Sequence, residues 1–151
     1  MAGGNEMKIS TKGRYALRMM LDLALHQADG VISLKEIAER QEISVKYLEQ
    51  VVSILTKHGF IQSTRGKEGG YRLLRRPDEY VVGEILRAAE GSLAPVACLD
   101  GEVNDCPRRD TCITLGFWQG LQKVIDQYVD GVTLQDLLDE YNERNGNTYF
   151  I

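Results

Sequence analysis

Apolar positions along the chain recur mostly at intervals of three and four, and one stretch near the middle breaks that period. Arg14 to Gln27 carries Ala, Leu and Met on more than one face, which predicts a mostly buried first helix. Ser33-Leu34-Lys35-Glu36 is a capping box, so a second helix starts there, striped by Leu34, Ile37 and Ala38. Ser44 is another cap, opening a helix whose apolar stripe is Val45, Leu48, Val52 and Leu55, with Gly59 just past its end. Two short amphipathic helices separated by about four residues predict a helix-turn-helix.

The period changes to two between Phe60 and Leu74. Phe60–Ser63 and Tyr71–Leu74 read as short strands joined by a glycine-rich turn, Thr64–Gly70, with Arg65 and Lys67 at its tip. A helix-turn-helix followed at once by a basic hairpin describes a winged helix. Beyond it, Val82–Glu90 predicts a short helix ending at Gly91, and Ser92–Thr111 is polar without period. Ile113, Phe117, Leu121, Val124, Ile125 and Tyr128 mark the longest remaining helix, whose stripe needs a partner and predicts pairing with its own copy. Thr133-Leu134-Gln135-Asp136 starts a last short helix to about Tyr141. The fold class expected is mainly α with a small β-hairpin. Its expected parts are a leader or flexible extension (1–6), a winged helix-turn-helix domain (7–80), a linker helix, cysteine loop (92–112) and dimerisation helices (81–141), and a C-terminal tail (142–151).

Composition agrees with one ordinary globular domain. The 151 residues are 43% hydrophobic and 26% charged with 3 prolines, which excludes a disordered, collagenous or disulfide-dense chain. No stretch approaches the ~18–20 apolar residues of a membrane span, and Met1–Glu6 lacks the basic start and apolar run of a signal peptide, so a cytoplasmic protein is expected. The net charge of −4 hides a division: residues 7–80 carry a balance of +4, and residues 81–151 one of −7. A basic half on an acidic protein suggests a polyanion-binding part.

The start of the second helix of the pair supplies side chains suited to that task. Ser44, Lys46, Tyr47, Glu49 and Gln50 fall on the exposed side, while Leu48 and Val52 point inward. Gln50 suits bidentate contact with adenine and Glu49 suits cytosine, whereas Lys46, Tyr47, Arg65 and Lys67 suit phosphate or guanine. A merely solvated helix surface is the bland alternative, and the attached wing weighs against it. No catalytic constellation is visible: the two histidines lie on separate predicted helices, away from the loop, and Gly66, Gly69 and Gly70 are explained by the wing turn. The chain is therefore not expected to be an enzyme.

Cys98, Cys106 and Cys112 fall within 15 residues, all in or beside the polar loop. An odd number in a cytosolic chain argues against structural disulfides. Such a set suits a soft metal, but free thiols, redox sensors and a zinc site remain open on spacing alone.

The segments Met7-Lys8-Ile9-Ser10-Thr11-Lys12-Gly13-Arg14-Tyr15-Ala16, Ser33–Glu39, Tyr47-Leu48-Glu49-Gln50, Arg65-Gly66 with Gly69-Gly70-Tyr71, and Glu90-Gly91 before a cysteine loop resemble the IscR/NsrR/CymR family of dimeric winged-helix transcription regulators. The resemblance runs from Met7 to about Tyr141. It implies a homodimer on a partly symmetric double-stranded operator, repressing genes of iron-sulfur cluster assembly or of cysteine and sulfur metabolism. Lys46, Tyr47, Glu49, Gln50 and the wing residues Arg65, Gly66 and Lys67 would meet DNA, with Lys8 and Lys12 near phosphates. It also implies that Cys98, Cys106 and Cys112 ligate an iron-sulfur cluster, 2Fe-2S or 4Fe-4S. Two departures leave the fourth ligand open among Asp100, Glu102, Asp105, Asp110, a small thiol or solvent: Leu115 stands where IscR-like members have histidine, and Arg14 where some NsrR-like members offer a carboxylate. The spacing from Cys98 to Cys106 is also longer than in the usual IscR-like pattern. The ending Tyr149-Phe150-Ile151 is similar to that of CymR-like repressors, which implies O-acetylserine thiol-lyase as a partner. The contrasting readings are an iron-sulfur carrier or redox-sensing protein without sequence-specific DNA binding, and a winged-helix module that binds only proteins. Neither needs the basic half.

Overall fold

A computed structural model describes residues 8–149. The expected leader 1–6 and the residues Phe150 and Ile151 lie outside them. In chain order the elements are α1 (Thr11–Leu25), α2 (Leu34–Gln41), α3 (Val45–Lys57), β1 (Ile61–Thr64), β2 (Gly70–Leu73), α4 (Val82–Glu90), α5 (Leu115–Asp130) and α6 (Leu134–Tyr149). The two strands pair antiparallel from Ile61 opposite Leu73 to Thr64 opposite Gly70, one residue later than the pattern predicts at β1 and one earlier at β2. Ile32 extends this hairpin on its other edge, exchanging backbone hydrogen bonds with Tyr71 at 2.8 and 2.9 Å, which ties the wing to the segment entering α2.

The core gathers around α1, as its multi-sided apolar pattern predicts. Met19, Met20 and Leu23 meet Ile37 of α2, Leu48, Val51 and Leu55 of α3, Ile61 of β1, Ile85 of α4 and Leu134 of α6. Burying this much apolar side-chain surface is the main favourable term in folding a domain of this size. The helix starts come from local chemistry. Ser33 accepts from the Glu36 amide and Ser44 from the Tyr47 amide, each at 3.1 Å. Thr133 and Asp136 cap reciprocally, at 2.9 and 3.0 Å. The predicted box at Ser33 is only half realised, because the Glu36 carboxylate lies 3.9 Å from Arg40.

Three helix boundaries also differ from the sequence pattern. Helix α1 begins at Thr11 rather than Arg14, capped by Ser10. Helix α5 begins at Leu115, leaving Ile113 outside it and 99% exposed, so Ile113 is not part of the helical stripe. Helix α6 continues to Tyr149 rather than ending near Tyr141. The Arg144–Glu140 pair and the Asn145 side chain, which donates to the Tyr141 carbonyl at 3.1 Å, support that continuation where few apolar residues do.

The hairpin is fastened at its base by Tyr80, which is fully buried. Its hydroxyl donates to the Phe60 carbonyl at 2.6 Å and accepts from the Leu74 and Arg75 amides at 3.1 and 3.0 Å. Arg75 lies over the Tyr80 ring and pairs with Glu84 of α4 at 2.8 Å. Arg87 in turn binds Asp126 and Asp130 of α5 at 2.8 and 2.7 Å. Wing, α4 and α5 are thus joined by a relay of charged contacts.

Candidate nucleic-acid interface

Helix α3 presents most of the face that its pattern predicts, except that Val45, expected in the apolar stripe, is 41% exposed and Val51 is fully buried in its place. Leu48 is buried and Val52 half-buried, while Ser44, Lys46, Glu49 and Gln50 are exposed. Tyr47 is half-buried, its ring edge-on to Tyr15 at 5.2 Å between centroids, so much of its surface is spent on packing against α1. Lys12 of α1 joins Lys46, Glu49, Gln50, Ser53 and Ile54 around one shallow depression. Cations from two helices therefore flank the acceptors and donors suited to base edges. Ser53 is an addition to the face expected from sequence, and its place one turn beyond Glu49 is the signal that marks it.

The orientation of α3 is set by the turn that precedes it. Glu42 adopts a left-handed conformation, φ +55°, and Ile43 plugs into the core. Arg18 of α1 donates to the backbone carbonyl and side-chain oxygen of Gln41, and Gln41 donates to Asp22 at 2.9 Å. The sequence offers no sign of this network, since its contacts span 19 to 23 residues.

At the wing tip Arg65, Gly66 and Lys67 are exposed, and the Gly69 amide closes the turn onto the Gly66 carbonyl at 3.0 Å. Gly66 has φ +115°, a conformation that favours glycine. Arg72 of β2 adds a cation on the exposed strand face, held across the hairpin by Gln62 at 3.0 Å. Lys8 is exposed ahead of α1.

The cysteine loop joins α4 to α5. Cys98 sits in a single turn, Ala97–Leu99, and is half-buried; Cys106 is half-buried, its amide donating to Asn104 at 3.0 Å; Cys112 is exposed. The Thr114 hydroxyl, 3.5 Å from the Cys112 sulfur, lowers that thiol's pKa below its ordinary value. All three are free thiols. Among the described residues no group of three or more His, Cys, Asp and Glu side chains gathers as a metal site. The expected ligand set Cys98, Cys106 and Cys112 is therefore not brought together in this arrangement, and neither is Asp100, Glu102, Asp105 or Asp110 as a fourth member. Cys98 lies in a short turn, Cys106 and Cys112 make only local contacts with Asn104 and Thr114, and no regular element aligns the three. The donor chemistry suits soft metals, but the geometry described does not fit a cluster. His26 caps the end of α1 near Asp29, and His58 stacks on Phe60, both away from the loop, as expected. Tyr149 ends α6, and the other two residues of the expected partner-binding trio, Phe150 and Ile151, lie outside the described residues.

A helix-turn-helix with an ordered base, a basic wing and an exposed recognition face defines a winged-helix DNA-binding protein. The family model described as "Rrf2: Iron-dependent Transcriptional regulator" matches residues 9–140. Protein rrf2 of Nitratidesulfovibrio vulgaris is 42% identical over 132 residues, covering 87% of each chain, and the transcriptional regulator IscR of Aliivibrio salmonicida is 42% identical over 132 residues, covering 87% of this chain and 77% of that one. Among solved structures, T. potens IscR superposes with a TM-score of 0.73 at 39% identity, covering 91% of this chain and 90% of that one. CymR, described as the global cysteine regulator of B. subtilis, does so at 0.67 and 38% identity, covering 88% and 97%. This chain belongs to the Rrf2 family of helix-turn-helix transcriptional regulators and is a DNA-binding regulator rather than an enzyme. Among the described residues, no helix is long and apolar enough to cross a membrane.

Proposed function

We propose that this chain is a cytoplasmic homodimeric repressor that reads a partly palindromic duplex with Ser44–Gln50 and the wing, and controls genes of iron-sulfur cluster assembly or cysteine and sulfur metabolism. The observation that carries the DNA-reading part is the shared depression in which Lys12 and Lys46 flank Glu49 and Gln50, with the exposed wing cations of the same domain available for neighbouring phosphates. Dimerisation is supported by α5, a 16-residue helix that buries none of its residues within the chain. Phe117, Val124 and Tyr128 are 66%, 61% and 72% exposed, and their spacing places them along one face. The large cost of leaving such a stripe in water is removed by pairing it with its copy, which would also set two recognition helices roughly one DNA turn apart.

The regulated target classes are drawn from the relatives: one family description names iron, and the CymR structure's title names cysteine regulation. On this reading Cys98, Cys106 and Cys112 take up an iron-sulfur cluster. Their common loop and the lowered Cys112 thiol support it, and the loop would have to refold for the sulfurs to converge. Docking of O-acetylserine thiol-lyase at Tyr149, Phe150 and Ile151 would have to use the end of α6, since residues 142–149 belong to that helix rather than to a free peptide.

Salt titration tests the central reading. Duplex binding should weaken steeply with ionic strength, with a log–log slope of about −0.9 per phosphate contacted, and should favour a selected sequence over random duplex. Salt-independent or absent binding would leave the carrier or protein-binding readings in place. Anaerobic purification with iron and sulfide analysis tests the cluster; zinc or no metal would count against it.

A further inference from the structure

The start of α1, which carries Lys12, is held from a distant part of the chain. Glu90, the last residue of α4, places a single carboxylate oxygen, Oε2, against that start: it accepts from the Ser10 amide at 3.1 Å, the Ser10 hydroxyl at 2.6 Å and the Gly13 amide at 2.9 Å. These amides belong to the first turn of a helix, where backbone donors have no partners within the helix and a negative charge is favoured. Position 13 is fitted to the contact. A Cβ on Gly13 would lie 2.5 Å from Glu90 Oε2 and 2.9 Å from Ile9 Cγ2, so only glycine lets the carboxylate come this close.

On one side of this junction are cations. Lys8 and Lys12 flank Ser10, and Lys12 lines the depression shared with Lys46, Glu49 and Gln50. On the other side is the cysteine loop. The chain leaves α4 through Gly91, φ +85°, and the first loop residues Ser92–Ala94 share an apolar cavity of about 240 Å³ with Lys8, Ile9, Leu86, Ile125 and Val129. The segment ahead of α1, the loop entrance and α5 thus border one cavity, and Glu90 joins that segment to the end of α4.

We infer that Glu90 is a positioning residue for DNA binding: it fastens the Lys8–Lys12 segment to the entrance of the cysteine loop and so makes the placement of those two cations depend on the loop. The inference rests on the DNA-reading proposal above and adds to it a route between loop and interface. It has a counterintuitive sign. Removing an acidic side chain makes the protein less negative, which by charge alone tightens DNA binding; loss of the fastening weakens it instead.

The experiment uses the full chain and a duplex enriched by the wild-type protein from a random-sequence library. The double variant K8A/K12A should reduce the magnitude of the salt slope by about 1.8, the value for two phosphate contacts. E90A should reduce it by about 1 to 2 and lower affinity about tenfold at ~0.15 M salt, although no cation has been removed. G13A, which alters no charge, should reproduce E90A, and E90Q, which keeps an acceptor oxygen, should recover most of the affinity. Adding E90A to K8A/K12A should cause little further loss. Amide exchange at Gly13 should quicken in E90A, and alkylating the loop cysteines should quicken it in the wild type but not further in E90A. Circular dichroism confirms the fold of each variant, and where E90A unfolds, G13A and E90Q decide.

If the wild type binds with a steep salt slope while E90A and G13A bind equally well or tighter with that slope unchanged, Glu90 has no positioning role. An unchanged Gly13 exchange after alkylation removes the link to the loop. Failure of the wild type itself to bind duplex is a different result and overturns the DNA-reading proposal.

Discussion

Asp22 of α1, 1% exposed, accepts from Arg40 of α2 through Nη2 at 2.7 Å and Nε at 3.0 Å, so a charged pair at the edge of the core fixes the angle between the first two helices. Gln41 adds a third donor at 2.9 Å. Because α3 follows directly after the turn that begins there, the pair also bears on how the exposed face of α3 is presented.

The two ends of this pair should not be equivalent. Arg40→Ala leaves a buried carboxylate with Gln41 alone and should cost about 3 kcal/mol, whereas Asp22→Asn leaves a partly exposed guanidinium that water can reach and should cost about 1–2 kcal/mol. Urea denaturation of the two variants checks the order. Equal losses would mean that the turn relaxes to satisfy whichever group remains.

Glu42 offers the opposite effect. Its left-handed conformation strains a residue with a Cβ by about 1–2 kcal/mol, and glycine relieves that strain while giving back part of it as unfolded-state entropy. Glu42→Gly should therefore stabilise the protein by about 0.5–1 kcal/mol, read as a raised midpoint in thermal or urea unfolding.

Gln50 and Arg65 should separate by sequence dependence. Gln50→Ala should cost about 1–3 kcal/mol on the selected duplex and little on random DNA, while Arg65→Ala should weaken both alike and lower the salt slope by about 1. Competition titrations with both duplexes decide it. Equal losses on specific and random DNA for both variants would remove Gln50 from base reading.

The exposed stripe of α5 should tolerate charge in the monomer and not in the dimer. Val124→Glu changes a solvent-facing position within the chain, so the fold should be kept while sedimentation shifts from two chains to one. A dimer unaffected by the change would place the interface elsewhere.

Much of this molecule is written in short-range chemistry. Ser33, Ser44 and Thr133 start their helices with partners three residues away, and Gly59 and Gly91 follow the ends of α3 and α4 with positive φ, so these boundaries could be placed from a few neighbouring letters. The recognition face and wing tip were legible for the same reason: exposure follows from the period of the element that holds them. The extent of α6 was not, since its later turns rest on pairs such as Arg144–Glu140 without an apolar stripe to mark them. Nor was the separation of the three cysteines, because a loop without a period has no geometry until its ends are anchored to α4 and α5. Asp22 with Arg40, 18 residues apart, and Glu90 with Ser10, 80 residues apart, are contacts that only the packing of α1 against its neighbours could decide. Hydrogen bonds within one helical turn are determined by the local chain, whereas those between distant segments exist only after the apolar core has brought their backbones together.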